Sequence, residues 1–159
     1  MSGLIGGVGS RSGVIGETEI DYEEGTFLPK LVGASGGEVG YQSNGQSGTY
    51  TKIGRVVNVN FYIGINSQGN CSGQLCVSNF PFIVADTISN TSLECSGSIG
   101  YFANMSTATS GLWPVGQQSE FRAVIYFVDG TTDSTITALT ATNITNTFSV
   151  RGSITYFTS

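Results

Sequence analysis

The sequence predicts an all-β protein: an antiparallel β-sandwich of jelly-roll type with an extended N-terminal arm. Three observations carry this. Apolar and polar residues alternate in short stretches, the period of a half-buried strand. Turn-forming Gly, Asn and Asp residues separate those stretches. No segment of the 159 residues shows a helical period.

Taken in order, residues 1–16 read MSGLIGGVGSRSGVIG and fit neither period. Leu4, Ile5, Val8, Val14 and Ile15 are scattered among glycines, with Arg11 as the one charged side chain. Glycine lets such a segment follow another surface closely but makes it costly to order. The arm is therefore expected to lie on another subunit, its own domain being the alternative. Glu17 to Glu24 holds five of the eleven acidic residues, Glu17 and Glu19 among them. It reads as a link over residues 17–25: solvated, a first helical turn, or a negative patch matching a basic neighbour. Residues 26–159 form the sandwich domain, with no second domain and no internal repeat.

Within that domain Arg55–Ile65 is the clearest strand. Val57, Val59, Phe61, Ile63 and Ile65 share one face, and Asn58, Asn60, Tyr62 and Gly64 the other. Phe121–Val128 places Phe121, Ala123, Ile125 and Phe127 on one face. Its other face, Arg122, Val124, Tyr126 and Val128, is too apolar for plain solvent. Thr147–Phe157 is a third strand, rich in β-branched and aromatic residues. Shorter strands are expected at Thr26–Val32, Gly48–Ile53, Gln74–Val77, Ser98–Asn104 and Ser134–Thr137. Ser43-Asn44-Gly45, Gln68-Gly69-Asn70 and Asp129-Gly130 supply turns. Pro29 suits an edge or first strand, where a missing N–H is tolerated. Gly48 and Gly54 bracket a short strand in which Ile53 packs inward and Lys52 buries its stem beneath a surface ammonium.

Composition excludes several functions. The chain carries 6 basic and 11 acidic residues, a net charge of −5, and no histidine. Without a basic cluster, binding to nucleic acid through its phosphates is not expected. Without histidine, a His-based triad, base or metal site cannot form. No apolar run is long enough to cross a bilayer, and no secretory signal is expected at the N-terminus. Gly, Ser, Thr and Asn make up 71 of the 159 residues, so the polarity is neutral. Such a surface suits a protein covered by neighbours or selected for inertness.

The remaining chemical signals are weak. Gly33–Gly40 is glycine-rich, but no Lys-Ser or Lys-Thr follows, so it reads as a β-loop and not a phosphate cradle. Glu38, Asp86, Glu94, Glu120, Asp129 and Asp133 form no pair recognisable as a glycosidase dyad. No cofactor and no enzymatic activity are expected. Trp113, beside Pro114, can stack on a sugar face, plug a core or fill a subunit interface. Cys71, Cys76 and Cys95 are too few and too unevenly spaced for a metal site. They read as free thiols, with a Cys71–Cys76 bridge as the alternative. Sequons at Asn70, Asn90, Asn104 and Asn143 are the chance expectation in so Asn-, Ser- and Thr-rich a chain.

Two runs carry a resemblance: YEEGTFLPKLVG (Tyr22 to Gly33) and SGTYTKIGRVVNVNFYIGI (Ser47 to Ile65). With NFPF (Asn79 to Phe82) and the closing VRGSITYF (Val150 to Phe157), they resemble a β-sandwich module common in tailed-bacteriophage virion proteins. The resemblance covers about residues 21–158, and Tyr50–Gly54 (YTKIG) is its most specific part. Phe27 stands where that module frequently has Trp, and Arg55 where Asn is common. The resemblance implies a homotrimer on the virion surface, made in the host cytoplasm, with neither nucleic acid nor membrane as partner. It implies one of two roles. The first is a capsid decoration or cement protein that clamps the major capsid protein. There Leu4, Ile5, Val8, Arg11, Val14, Ile15, Glu17 and Glu19 would make the contacts. The second is a tail-fibre or tail-tip protein that meets tail proteins and a host surface receptor. There Gln68–Gly73 and Ala108–Gln118, with Trp113, would form the distal loops. The short chain and its arm favour decoration.

Overall fold

The computed structural model describes residues 21–87, 93–129 and 136–159. The arm of residues 1–16, Glu17 and Glu19 of the acidic link, the sequon at Asn90 and most of the Asp129–Thr135 connection lie outside them. The fold is all-β and antiparallel, as the alternation requires. Ten strands follow in chain order: β1 (Tyr22–Phe27), β2 (Lys30–Gly33), β3 (Gly40–Ile53), β4 (Val56–Ser67), β5 (Leu75–Ser78), β6 (Leu93–Met105), β7 (Thr109–Gln117), β8 (Arg122–Asp129), β9 (Ile136–Ala138) and β10 (Ile144–Phe157). One turn of 3-10 helix, Ala141–Asn143, precedes β10.

The strands make one continuous path, β1-β3-β4-β10-β6-β7-β8-β5-β2, with β9 beside β8. β6 joins its two halves. Gly97–Met105 pairs with β10, while Leu93–Ser96 pairs with β7. The path curls, and its two edge strands, β1 and β2, are joined by only Leu28 and Pro29. One core lies inside the curl. The β4 half supplies Val57, Val59, Phe61, Ile63, Phe148, Val150, Ile154 and Tyr156. The β8 half supplies Leu31, Leu75, Val77, Leu112, Ile125 and Phe127. Burial of these side chains is the main force holding the halves together.

The NFPF element plugs one end of this core. Phe80 stacks on Tyr156 at 5.6 Å and meets Phe27 edge-on at 6.3 Å. The Tyr156 hydroxyl donates to the Phe82 carbonyl at 3.0 Å, and the Asn79 amide donates to the Leu28 carbonyl at 2.9 Å. Phe80, Val84 and Ala85 donate backbone N–H groups to Phe121, Glu120 and Phe157, so this strandless segment is stitched to both halves.

Several sequence expectations shift. Thr26–Val32 is two strands, because Pro29 lies between β1 and β2. Ser43-Asn44-Gly45 is a bulge inside β3, not a turn: the strand pairs with β4 on both sides of it, Tyr41 with Ile65 and Gln46 with Ile63. Asn44 takes φ 58° there, so the local chemistry was turn-like although the strand resumes its course. Gly48 therefore sits within a strand, where a Cβ would meet the Phe27 ring at 2.5 Å. Gly54, at φ 57°, makes the β3–β4 turn. Ile53 points outward and is 52% exposed, because the register puts Lys52 opposite the buried Val57. Phe121 precedes β8 and is exposed. The sheet begins at Tyr22, inside the segment read as an acidic link. Ala108–Gln118 is not a loop: it contains β7.

Candidate interaction surfaces

The curl leaves two outward faces of opposite character. On the β4 half the middle outward residues of β3, β4 and β10 are neutral and polar. Thr49, Asn60 and Ser153 lie in one cross-strand row, and Thr51, Asn58 and Thr155 in the next. Their side chains bond one another: Asn58 donates to Thr155 at 2.8 Å, and Asn60 donates to Asn58 at 3.1 Å. Aromatic and apolar groups bound the ladder. At one end Tyr22, Ile53, Val56 and Phe157 face each other across four strands, all exposed. At the other, the Arg151 guanidinium lies between Tyr62 and Tyr101, which flank it on β4 and β6.

The outward face of the β8 half is apolar. Trp113 on β7 pairs with Tyr126 on β8, which pairs with Ala138 on β9. Val115, Val124, Cys76 and Val32 form the next row, and Val128 faces Ile136. Arg122 closes this face at one end, donating to Gln117 at 2.8 Å and pairing with Glu120 at 3.4 Å. Val124 and Cys76 are buried within the chain, whereas Trp113 is 37% exposed and Ile136 56%, so the open apolar surface lies at those two residues. The apolar outer residues of β8 were visible in the sequence. Their continuation through Trp113 was not, because β7 carries Gly111, Pro114 and Gly116.

The acidic segment is anchored where it is described. Asp21 pairs with Lys52, whose stem is buried and whose ammonium lies 5.6 Å from the Phe82 ring. The Gly54 N–H donates to the Asp21 carbonyl at 2.7 Å. Tyr50 donates to Glu23 at 2.6 Å and Tyr22 to Glu24 at 2.5 Å. These bonds to carboxylates, and then burial, push both phenol pKa values up. Asp21 is thus fixed beside the β3–β4 turn.

The loops offer less. Gly33–Gly40 spends its backbone on residues 72–74: Ala34 donates to Gln74 at 2.7 Å, Ser35 to Ser72 at 3.0 Å, and Ser72 to Gly36 at 2.9 Å. It is a packing loop, as read. Gln68 ties its own loop to the Ala141 and Ile144 carbonyls. The carboxylates are dispersed. Glu38 pairs with Lys30 at 3.1 Å, Glu94 accepts from Thr87, and Asp86 is exposed. Among the described residues no group of three or more His, Cys, Asp or Glu can hold a metal ion. Cys71, Cys76 and Cys95 are free thiols. Burial pushes all three up, Cys76 to about 11, which suppresses the reactive thiolate. No described helix is long and apolar enough to cross a membrane.

No protein-family model matches the chain, and no curated protein matches it. Among solved structures, the crystal structure of the Dettilon tailspike protein superposes with a TM-score of 0.66 over 86% of this chain, at 19% identity. This chain spans 24% of that one. The fold is therefore one that occurs within a phage tailspike chain.

Proposed function

We propose that this protein is a structural component of a bacteriophage virion that works by surface contact, without catalysis. The carrying observation is the shared fold: the chain superposes on a segment of a phage tailspike. The resemblance of Tyr22–Gly33 and Ser47–Ile65 to phage virion modules supports the same reading. In it the curled sheet acts as a jelly-roll-like sandwich whose two layers are the β4 and β8 halves. The protein assembles as a homotrimer on the virion surface. Support for assembly comes from the apolar face around Trp113, Tyr126 and Ile136, since large open apolar surfaces are uncommon on monomers. Trp113, on a strand at the centre of that face, serves this contact and not a receptor loop.

On the particle the tail is favoured, because the superposed chain is a tailspike. A tail-fibre or tail-tip protein would meet the host receptor with surfaces left free by assembly. The second reading, decoration of the head, is favoured by the anchor at Asp21. Lys52 and Gly54 fix Asp21, and the arm of residues 1–16 ahead of it would reach a neighbouring major capsid protein. Gold-labelled antibody on purified particles tests both. Label at the tail supports the first reading, and label over the head supports the second. Absence of the protein from washed particles would sink both.

A further inference from the structure

We propose that the outward face of the β4 half binds an acidic saccharide, with Arg151 pairing its carboxylate. The inference goes beyond the virion reading and holds for a head or a tail protein alike.

The first ground is what the described cations do. Lys30, Lys52 and Arg122 each pair with a carboxylate: Glu38, Asp21 and Glu120. Arg55 donates to the Thr158 carbonyl at 2.9 Å. Among the described residues Arg151 has neither a carboxylate nor a hydrogen-bond partner. Its contacts are two rings, Tyr62 at 4.7 Å and Tyr101 at 5.6 Å. On a chain of net charge −5 this is an uncompensated positive spot. The nearest acid in the ladder rows of this face, Glu24, lies three strands away and accepts from Tyr22.

The second ground is orientation. A guanidinium held against aromatic faces keeps its N–H edge free and in plane, which suits bidentate capture of a carboxylate. Flanking rings on adjacent strands also restrain a side chain that would otherwise lose much freedom on binding.

The third ground is the surroundings. Beside Tyr62 runs a shallow groove of about 170 Å³, lined by Ser47, Gly48, Thr49, Asn60, Phe61 and Tyr62. Ser153 lies next to Asn60 and meets Ser98 at 3.4 Å. Hydroxyls and amides at the rim, with a tyrosine ring beside them, match the hydroxyls and the apolar face of a sugar. A single guanidinium does not make the basic stripe that a nucleic-acid backbone needs, and a groove of about 170 Å³ is too small to seat the apolar face of an amphipathic peptide helix.

The test uses the full chain and three probes: tetragalacturonate, its methyl ester, and a phosphate-bearing oligosaccharide. Calorimetric titration should show binding of tetragalacturonate that weakens at least tenfold on esterification and weakens with added salt. Preference for tetragalacturonate over the phosphate probe supports carboxylate pairing; the reverse preference overturns it. Arg151→Ala should abolish binding and Arg151→Lys should weaken it, with melting temperatures unchanged because the side chain is exposed. Tyr101→Ser should weaken binding as well. Ile136→Asp, which tests self-association at the opposite face, should leave the affinity per chain unchanged. Binding indifferent to esterification, binding kept by Arg151→Ala, or no binding at millimolar probe would overturn the proposal. So would a trimer that falls apart on Arg151→Ala, which would make this face an interface between copies.

Discussion

The two outward faces are built on the same sheet by the same alternation, yet one is polar and the other apolar. On β4 the outward positions are Asn58, Asn60 and Tyr62; on β8 they are Val124, Tyr126 and Val128. Inward positions on both strands are equally apolar, so the core does not demand the difference. The difference lies in what each face gains by being covered. A Thr/Asn/Ser ladder whose members bond one another gains little from being covered and suits water or a hydrated ligand. A surface of Trp113, Val115, Tyr126 and Ile136 gains about 25 cal/mol per Å² when covered. One chain thus carries an apolar face that would gain from being covered and a polar face that would not.

The sharpest way to break this contrast is to charge each face in turn. Ile136→Asp, at a position already open to solvent, should weaken self-association about 100-fold, or ~3 kcal/mol. Thr155→Asp on the polar face should leave it unchanged. Sedimentation of both variants over a dilution series reads the difference; equal effects would erase it.

A smaller effect is expected at the junction of the halves. A Cβ at position 97 would lie 2.1 Å from the Ser153 carbonyl oxygen, where β6 crosses from β10 towards β7. Gly97→Ala should cost about 2 kcal/mol, seen as a lower midpoint in urea. A midpoint unchanged from the parent protein would mean that β6 does not hold the two halves in register.

Alkaline pH acts next. Cys76, on the apolar face, is pushed by burial from the usual 9.0 to about 11. Its neutral form is favoured in the folded state. Stability from this group is therefore complete below pH 9 and lost as pH rises towards about 11. The slope is at most about 1.4 kcal/mol per pH unit for one group. Burial raises Tyr41 and Tyr156 in the same direction. Replacing Cys76 by Ala should flatten the part of the decline between pH 9 and 11, followed by urea midpoints against pH.

The smallest effect is at the arm's anchor. Asp21→Asn removes the partner of Lys52, but Asp21 is 65% exposed, so the loss should stay within about 1 kcal/mol. Thermal melting measures it; a larger loss would mean that the pair holds the edge of the β4 half.

The fold was legible where alternation was clean. Val57 to Ile65 and the end of β10 read correctly because one face is all apolar and the other mostly polar. β7 was hidden by Pro114. That proline lies just past the last residue β6 pairs, Val115 with Ser96, where β7 keeps a neighbour on the β8 side. Proline is tolerated at such a partial edge, so a strand passed for a loop and Trp113 for a loop tip. Ile53 was misplaced because the inward position went to Lys52, a residue that buries its stem while its charge finds Asp21. Arg151 showed no local signal at all. Its meaning depends on Tyr62 and Tyr101, which are brought to its two sides by pairings that span about 90 and 50 residues of sequence.

Trp113 is the chain's single tryptophan, so its fluorescence reports on the apolar face directly. Acrylamide quenching across a dilution series is the decisive measurement. If that face is covered by other copies, Trp113 is protected in the concentrated protein and becomes quenchable as the assembly dissociates. Quenching that is strong and the same at every concentration, with a single-chain mass throughout, would contradict the account.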